Sequence, residues 1–324
     1  MSGLQQGVSP RLVYAFDPHP VFGDGHFRLV LPGDQGAEQQ LGPGPIGDFM
    51  WFENGRTVVS YGTEAGVVVE VSGADGKVVE RTDGLTGYGL VTTPDRSIIG
   101  WLDAEGVPQV LEDGATRHLS LPAVQDGDHL GALLGSDTCQ EQAPEGGGCT
   151  AFVNAAPDAR APRAWLSTSH GIVEAVPHLT DVRDAAADGD LVGRLTGPGA
   201  GAGCFGEVSP SGTVRWQTCD HELIDLAPDG THVIGVDGTT YHADIRGLAI
   251  YDGSGEVVAS WSFPRTRNGQ IGTIRWETDH SVLVVVGDRG RWSIVRLDLD
   301  GSAEYAVAPI ELGPDFSPYR LPIG

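Results

Sequence analysis

A short phrase recurs along this chain: an apolar run enters a tight turn built on Asn or Asp and leaves it as a second apolar run. Its clearest copies are Ile46 to Val59 around Asn54-Gly55, Leu90 to Ile99 around Pro94-Asp95, and Leu223 to Ile234 around Asp229-Gly230. A weaker copy spans Val182 to Val192 around Asp188-Gly189, and Thr278 to Val285 keeps its strands around Asp279 without the glycine. The turns at Asn54, Asp95, Asp188, Asp229 and Asp279 stand about 41, 93, 41 and 50 residues apart, the long gap holding two units with a degenerate copy near Asp137. A repeat of that period, made of short strands, is the size of one propeller blade.

Strands read from period-2 alternation and Gly, Asp and Pro punctuation group into six complete four-stranded units. The first uses 46–54, 57–63, 66–72 and 77–82; the second runs from Tyr88 to Pro122. The third covers His129 to Pro177 with an insertion, Asp137 to Gly148, between its first two strands. Asp181 to Cys219, His221 to Phe263 and Ile271 to Ala308 supply the other three. Left over are Arg11 to Gly44, with strands expected at 12–16, 26–31 and 37–41, and Glu311 to Gly324, with one strand from Asp315 to Pro322. Three plus one completes a further blade. The sequence therefore predicts an all-β, seven-bladed β-propeller whose closing blade is built from both termini, because closure removes the edge strands an open array exposes. Residues 1–10 are expected as a disordered or linker N-terminus and 11–324 as a single β-propeller domain.

Composition agrees. The 324 residues include 48 Gly and 21 Pro, so turns are frequent, and an apolar fraction of 40% suffices for a large core. A formal charge of -24, with Lys77 the sole lysine, repels phosphate backbones and argues against nucleic acid or an anionic bilayer as partner. It suits a cationic ligand, a salty environment or simple solubility. The N-terminus lacks a basic and an apolar signal region, and no apolar run reaches membrane-spanning length. Against that start stand two local cysteine pairs, Cys139 with Cys149 and Cys204 with Cys219. Either the true start lies upstream or the thiols are reduced; the pairs favour an upstream leader or anchor and an extracytoplasmic setting, with the cytoplasm as the alternative. Cys204 and Cys219 close the ends of a hairpin turning at Ser209 to Gly212, so a symmetric register sets them opposite each other. A G1 bulge in that turn would shift the pairing by one. Cys139 and Cys149 would tie the insertion of the third unit.

The Ala227-Pro-Asp-Gly-Thr-His-Val233 phrase and the segment from Cys204 through Trp216 to Asp220 resemble the WD-repeat-like, TolB-type β-propellers of actinobacteria. The resemblance covers most of the chain and implies an exported propeller behind an N-terminal membrane anchor. The Gly-His and Trp-Asp pair of WD repeats is absent, so these motifs mark architecture rather than chemistry.

Apparent catalytic signatures fail. Gly201 to Gly206 spells G-x-G-x-x-G but leads into a strand rather than a helix. His221-Glu222 lacks the second histidine of a zinc protease, and Asp298-Leu-Asp300-Gly301 lacks most ligands of a calcium loop. No G-x-S-x-G or C-x-x-C occurs. Position on the scaffold then nominates residues: the mouth of the central channel, where each innermost strand begins, should carry Asp48, Tyr88, His129, Asp181, His221, Gln270 and Asp315. Asp48, His129, Asp181 and His221 could hold a divalent cation or a cationic ligand, since imidazole and carboxylate are usual ligands; a wet channel mouth is polar in any case. Tyr241 and Trp292 are placed on loops near that rim, as binding or packing groups. The reading is a non-catalytic, monomeric binding or sensing module for a protein or small molecule, needing no cofactor. The alternatives are a metal-dependent hydrolase or lactonase at the channel mouth, and a cytoplasmic scaffold.

Overall fold

The computed structural model describes residues 4–17, 27–31, 41, 46–52, 54–63, 66–85, 89–112, 115–118, 128–135, 139, 148–155, 164–168, 173–196, 203–238, 245–263, 270–312 and 317–323. No helix occurs among them, so none is long and apolar enough to cross a membrane. Strands β1 (Tyr14–Phe16) and β2 (Arg28–Val30) precede six four-stranded antiparallel sheets. Blade one holds β3 (Ile46–Trp51), β4 (Thr57–Thr63), β5 (Gly66–Ser72) and β6 (Val78–Leu85); blade two holds β7 (Val91–Thr92), β8 (Ile98–Leu102), β9 (Pro108–Glu112) and β10 (Ala115–His118). Blade three holds β11 (His129–Leu134), β12 (Thr150–Asn154), β13 (Ala164–Thr168) and β14 (Val173–Ala175); blade four holds β15 (Leu179–Ala185), β16 (Leu191–Leu195), β17 (Phe205–Val208) and β18 (Val214–Thr218). Blade five holds β19 (Glu222–Leu226), β20 (His232–Asp237), β21 (Gly247–Asp252) and β22 (Val257–Ser262). Blade six holds β23 (Gln270–Thr278), β24 (Ser281–Asp288), β25 (Arg291–Asp298) and β26 (Ala303–Glu311), and β27 (Tyr319–Arg320) ends the chain.

The order within each blade follows from burial. Middle strands such as β8, β24 and β25 are sandwiched between neighbouring blades and read as continuous apolar runs, whereas outer strands such as β18 and β22 leave Val214 and Val257 exposed. The innermost strands β7, β11, β15, β19 and β23 contact one another in sequence around the axis. Each pair of adjacent blades shares an apolar cluster, for example Phe205, Trp216, Leu223 and Val233 between blades four and five.

The expectation of seven blades is corrected to six. The remaining sheet is three-stranded, in the order β2, β1, β27, and it lies between blades six and one. The third N-terminal strand expected there contributes Leu41 to the described residues, its N–H donating to the Phe27 carbonyl at 2.8 Å, while 37–40 lie outside them. Tyr319 and Leu321 pack with Leu283 and Ile294 of blade six, and Val13, Ala15 and Phe27 pack with Ile46 and Phe49 of blade one. Beyond β27, Ile323 N–H reaches the Phe49 carbonyl at 2.9 Å. Residues 5–7, expected as linker, run along blade six, where Gly7 and Gln5 exchange backbone hydrogen bonds with Tyr305. Trp292, expected near an exposed rim, is instead 2% exposed in the core, because β25 is a middle strand; Tyr241 lies outside the described residues.

Both disulfides are present. The hairpin between β17 and β18 carries the G1 turn, with Gly212 at φ 80°, and a second irregularity between Glu207 and Val208 shifts the register one residue further. Phe205 therefore opposes Thr218, and Cys204 and Cys219 meet with Cα atoms 4.1 Å apart.

Two outcomes follow. Tyr319 is buried against Phe16, ring centroids 5.3 Å apart, so Tyr319→Ala is expected to cost about 3–5 kcal/mol in urea unfolding, and deletion of 319–324 more. An unchanged midpoint after the deletion would refute closure through the chain ends. The Cys204–Cys219 loop spans 15 residues, so replacing both cysteines by serine should remove about 3 kcal/mol. Free thiols detected in denatured, unreduced protein would contradict the pairing.

Candidate functional site

The inner strands are held to one another by side chains that reach the next blade. Asn154 accepts from the Val182 N–H at 2.8 Å and donates to the Val182 carbonyl at 2.7 Å, which locks blade three to blade four. Gly131 makes this approach possible, since a Cβ there would fall 2.1 Å from the Val182 carbonyl oxygen. Asp184 accepts from the Leu226 N–H at 2.8 Å, joining blades four and five, and Asp48 accepts from the Leu90 N–H at 3.4 Å, joining blades one and two.

The residues expected at the channel mouth separate into different settings. His129 and Asp181 come together at 4.0 Å, with Asn154 donating to Asp181 at 3.0 Å and Arg183 bridging Asp181 and Glu222 at 2.9 and 2.7 Å. Burial holds the His129 imidazole below its ordinary pKa, with Asp181 opposing that shift. His221 instead bonds the Tyr251 hydroxyl at 2.6 Å, and Asp48 is engaged in the staple to blade two. Gln270 opens β23; Tyr88 and Asp315 lie outside the described residues. Among the described residues no three His, Cys, Asp or Glu side chains gather as a metal site.

Further along the channel, toward the turns that follow the inner strands, lies a cavity of about 110 Å³. One water occupies about 10–15 Å³ of such space, so a molecule of several non-hydrogen atoms fits. Blades two to six all line it, through Thr93 and Arg96, Ala132, Asp184, Asp225 and Arg275, and Ile323 covers the remaining side. Burial pushes the Asp184 carboxyl well above the usual carboxylate range, and the adjacent Asp225 adds to it. Asp225 is also raised by burial, but Arg275, the Asp184 carboxyl and Arg96 all favour its charged form. Burial thus pushes both carboxyls upward where they face each other across the interface of blades four and five.

Arg96 faces this pair, and its buried Nη2 has no hydrogen-bond partner. Burial lowers its pKa, Asp225 resisting. Arg96 occupies the turn position filled by Gly55, Gly189 and Gly230 in other blades, and like them it has positive φ, 59° against 84°, 91° and 71°. For a residue with a Cβ that conformation costs about 1–2 kcal/mol. Arg96 and Ile323 also line a groove of about 620 Å³ on the outer side, walled by Met50, Trp51, Phe52 and Val13 with Arg11 at its edge. Its size and lining match those of small-molecule sites. The sequence carried a signal for this site: Pro94-Asp95-Arg96 breaks the Asp-Gly rule of its sister turns.

No protein-family model matches the chain. No curated protein matches it either. Among solved structures it aligns with puromycin hydrolase over 96% of its length and 54% of that chain, at 17% identity and TM-score 0.55. TolB from Acinetobacter baumannii aligns over 96% of this chain and 66% of that one, at 13% identity and TM-score 0.49. Kluyveromyces lactis Hsv2 aligns over 92% and 98%, at 10% identity and TM-score 0.46. The likeness to the hydrolase is one of fold: this chain is a β-propeller.

The raised Asp184 pKa sets the sign of a pH effect. Its unfolded value is near 3.8 and its folded value lies above that, so between the two the native state keeps a proton that the unfolded chain releases. Stability from this group is complete below the unfolded value and falls as pH rises through the window. Wild type should therefore lose stability relative to Asp184→Asn as pH rises above about 4. Parallel profiles would show that Asp184 is ionised in the fold.

Proposed function

We propose that this chain is a binding or sensing propeller working outside the cytoplasm, with its ligand seated where the channel cavity meets the groove at Arg96. The observation that carries the reading is the cavity itself, which side chains of five blades line, Arg96, Asp184, Asp225 and Arg275 among them. The strained turn that delivers Arg96 supports the same reading, since strain concentrates at functional positions. Two disulfides support an oxidising compartment, as does the resemblance to exported TolB-type, WD-repeat-like propellers of actinobacteria.

A thermal-shift screen of small polar and amphipathic molecules tests the reading. A ligand at about 100 times its Kd adds about 2.7 kcal/mol to stability, enough to raise the melting temperature by several degrees. The expected hit stabilises wild type and loses its effect in Asp225→Asn. Hits that are all indifferent to Asp225 would place binding elsewhere. Turnover of an ester or amide probe that depends on Asp184 or Asp225 would move the reading to a hydrolase.

A further inference from the structure

We propose that the outer edge of blade six is a docking site for a partner protein, one that presents an extended, basic segment containing a glycine. Residues 5–9 of this chain occupy that edge as an internal stand-in. The site is separate from the channel and does not depend on it.

The stand-in is held by its backbone. Gly7 N–H donates to the Tyr305 carbonyl and Tyr305 N–H to the Gln5 carbonyl, both at 2.9 Å, a short parallel pairing with the open edge of β26. Arg296 then donates to the Val8 and Ser9 carbonyls at 3.1 and 3.3 Å. Side chains add little between Leu4, which packs at the blade five and six interface, and the buried Pro10: Gln5, Gln6, Val8 and Ser9 are exposed, Val8 by 74%. A segment with so few buried apolar contacts opens locally at small cost. The surface beneath it is built in advance. Arg296 is buried between Glu277 and Glu304, and its remaining donors accept any two carbonyls placed at those positions.

Main-chain pairing with a sheet edge takes an added strand with little regard for most of its side chains. Two features narrow the choice here. A Cβ at position 7 would fall 1.9 Å from the Glu304 carboxyl carbon, so that position demands glycine. The β25–β26 turn also brings Asp298 and Asp300 beside Glu304 in a chain of formal charge -24, a field that draws a basic segment. Past Tyr305, β26 shifts register twice against β25 and reaches Pro309, which has no N–H, so an added strand is confined to the stretch that residues 5–9 now cover. A second copy of this chain fits less well: its own segment brings Gln5 and Gln6 in place of basic residues, and two chains of charge -24 repel.

Fluorescence-anisotropy titration of the full chain with three labelled peptides tests the proposal. The first is residues 4–11 in their own sequence, the second carries Gln5→Lys and Gln6→Lys, and the third adds Gly7→Val to the second without changing its charge. The lysine peptide should bind, the first peptide more weakly, and the Gly7→Val peptide about tenfold more weakly than the lysine peptide for loss of the edge pairing. Gly7→Val in the full chain unseats the internal segment; a segment seated about nine-tenths of the time withholds about tenfold in affinity, so this variant should bind the lysine peptide that much more tightly than wild type does. Hydrogen exchange supplies a second readout. The Tyr305 amide should exchange faster in the Gly7→Val chain and be protected again by the lysine peptide, while the β24 amides stay protected throughout and show the variant folded. Equal binding of the two lysine-bearing peptides, no gain in the Gly7→Val chain, or silence of the lysine peptide toward both chains overturns the proposal. A concentration-dependent dimer of wild type that is lost in Gly7→Val would put a second copy on the edge and overturn the assignment of the partner.

Discussion

Every β-sheet that ends in solvent leaves a row of N–H and C=O groups without partners, and a ring of blades multiplies that problem unless its ends meet. Here the meeting point is the antiparallel ladder between β1 and β27, with Ala15 opposite Arg320 and Phe16 opposite Tyr319. Residues near position 15 and near position 320 are the most distant in the chain, so no local propensity brings them together. The apolar surface does: Phe16 stacks on Tyr319, Tyr14 meets the same ring edge-on, and the same sheet turns its other side to Ile46 and Phe49 of blade one. Ile323 follows from this ladder and is carried into the channel, where it lines both the cavity and the groove. The candidate site therefore exists only in the closed ring.

A second contact pins the N-terminal segment before it enters that ladder. Arg296 of blade six is 7% exposed; it donates to Glu277 through Nε at 2.5 Å and Nη2 at 2.9 Å, and also pairs with Glu304. Its remaining donors reach the carbonyls of Val8 at 3.1 Å and Ser9 at 3.3 Å, and Glu277 in turn accepts from the Arg11 N–H at 2.6 Å. A buried charge is tolerable when its hydrogen bonds are complete, and here the chain segment itself supplies the last of them. Arg11 is thereby fixed at the edge of the groove.

The repeat was legible because turn chemistry is local. Asn54-Gly55, Asp188-Gly189 and Asp229-Gly230 each need a left-handed residue after the acid or amide, and the sequence shows it. Six blades and their strand order could be read from that punctuation and from alternation. The number of strands in the closing sheet could not, since pairing between β1, β2 and β27 depends on distant partners. The site was legible in part. His129 and Asp181 do meet, because each lies near the start of an inner strand in adjacent blades; His221 turned to Tyr251 instead, a choice set by packing on Trp216 that no spacing encodes. Asp184 and Asp225 were invisible as a pair, since each reads as an ordinary residue of its own repeat and their coupling arises across an interface.

That interface explains why two carboxyls persist in the channel of a chain already rich in acid. Asp184 accepts the Leu226 N–H of the following blade and so closes a gap that a shorter or apolar side chain would leave as an unsatisfied buried donor. The cost of bringing the two acids together is offset in part by the arginines opposite Asp225. Stapling and charge balance are then a single problem: Asp184 holds the next blade, and the arginines oppose the charge of the acids. A molecule seated in the cavity would touch side chains of separate blades at once. Its binding free energy would add to the stability of the closed ring.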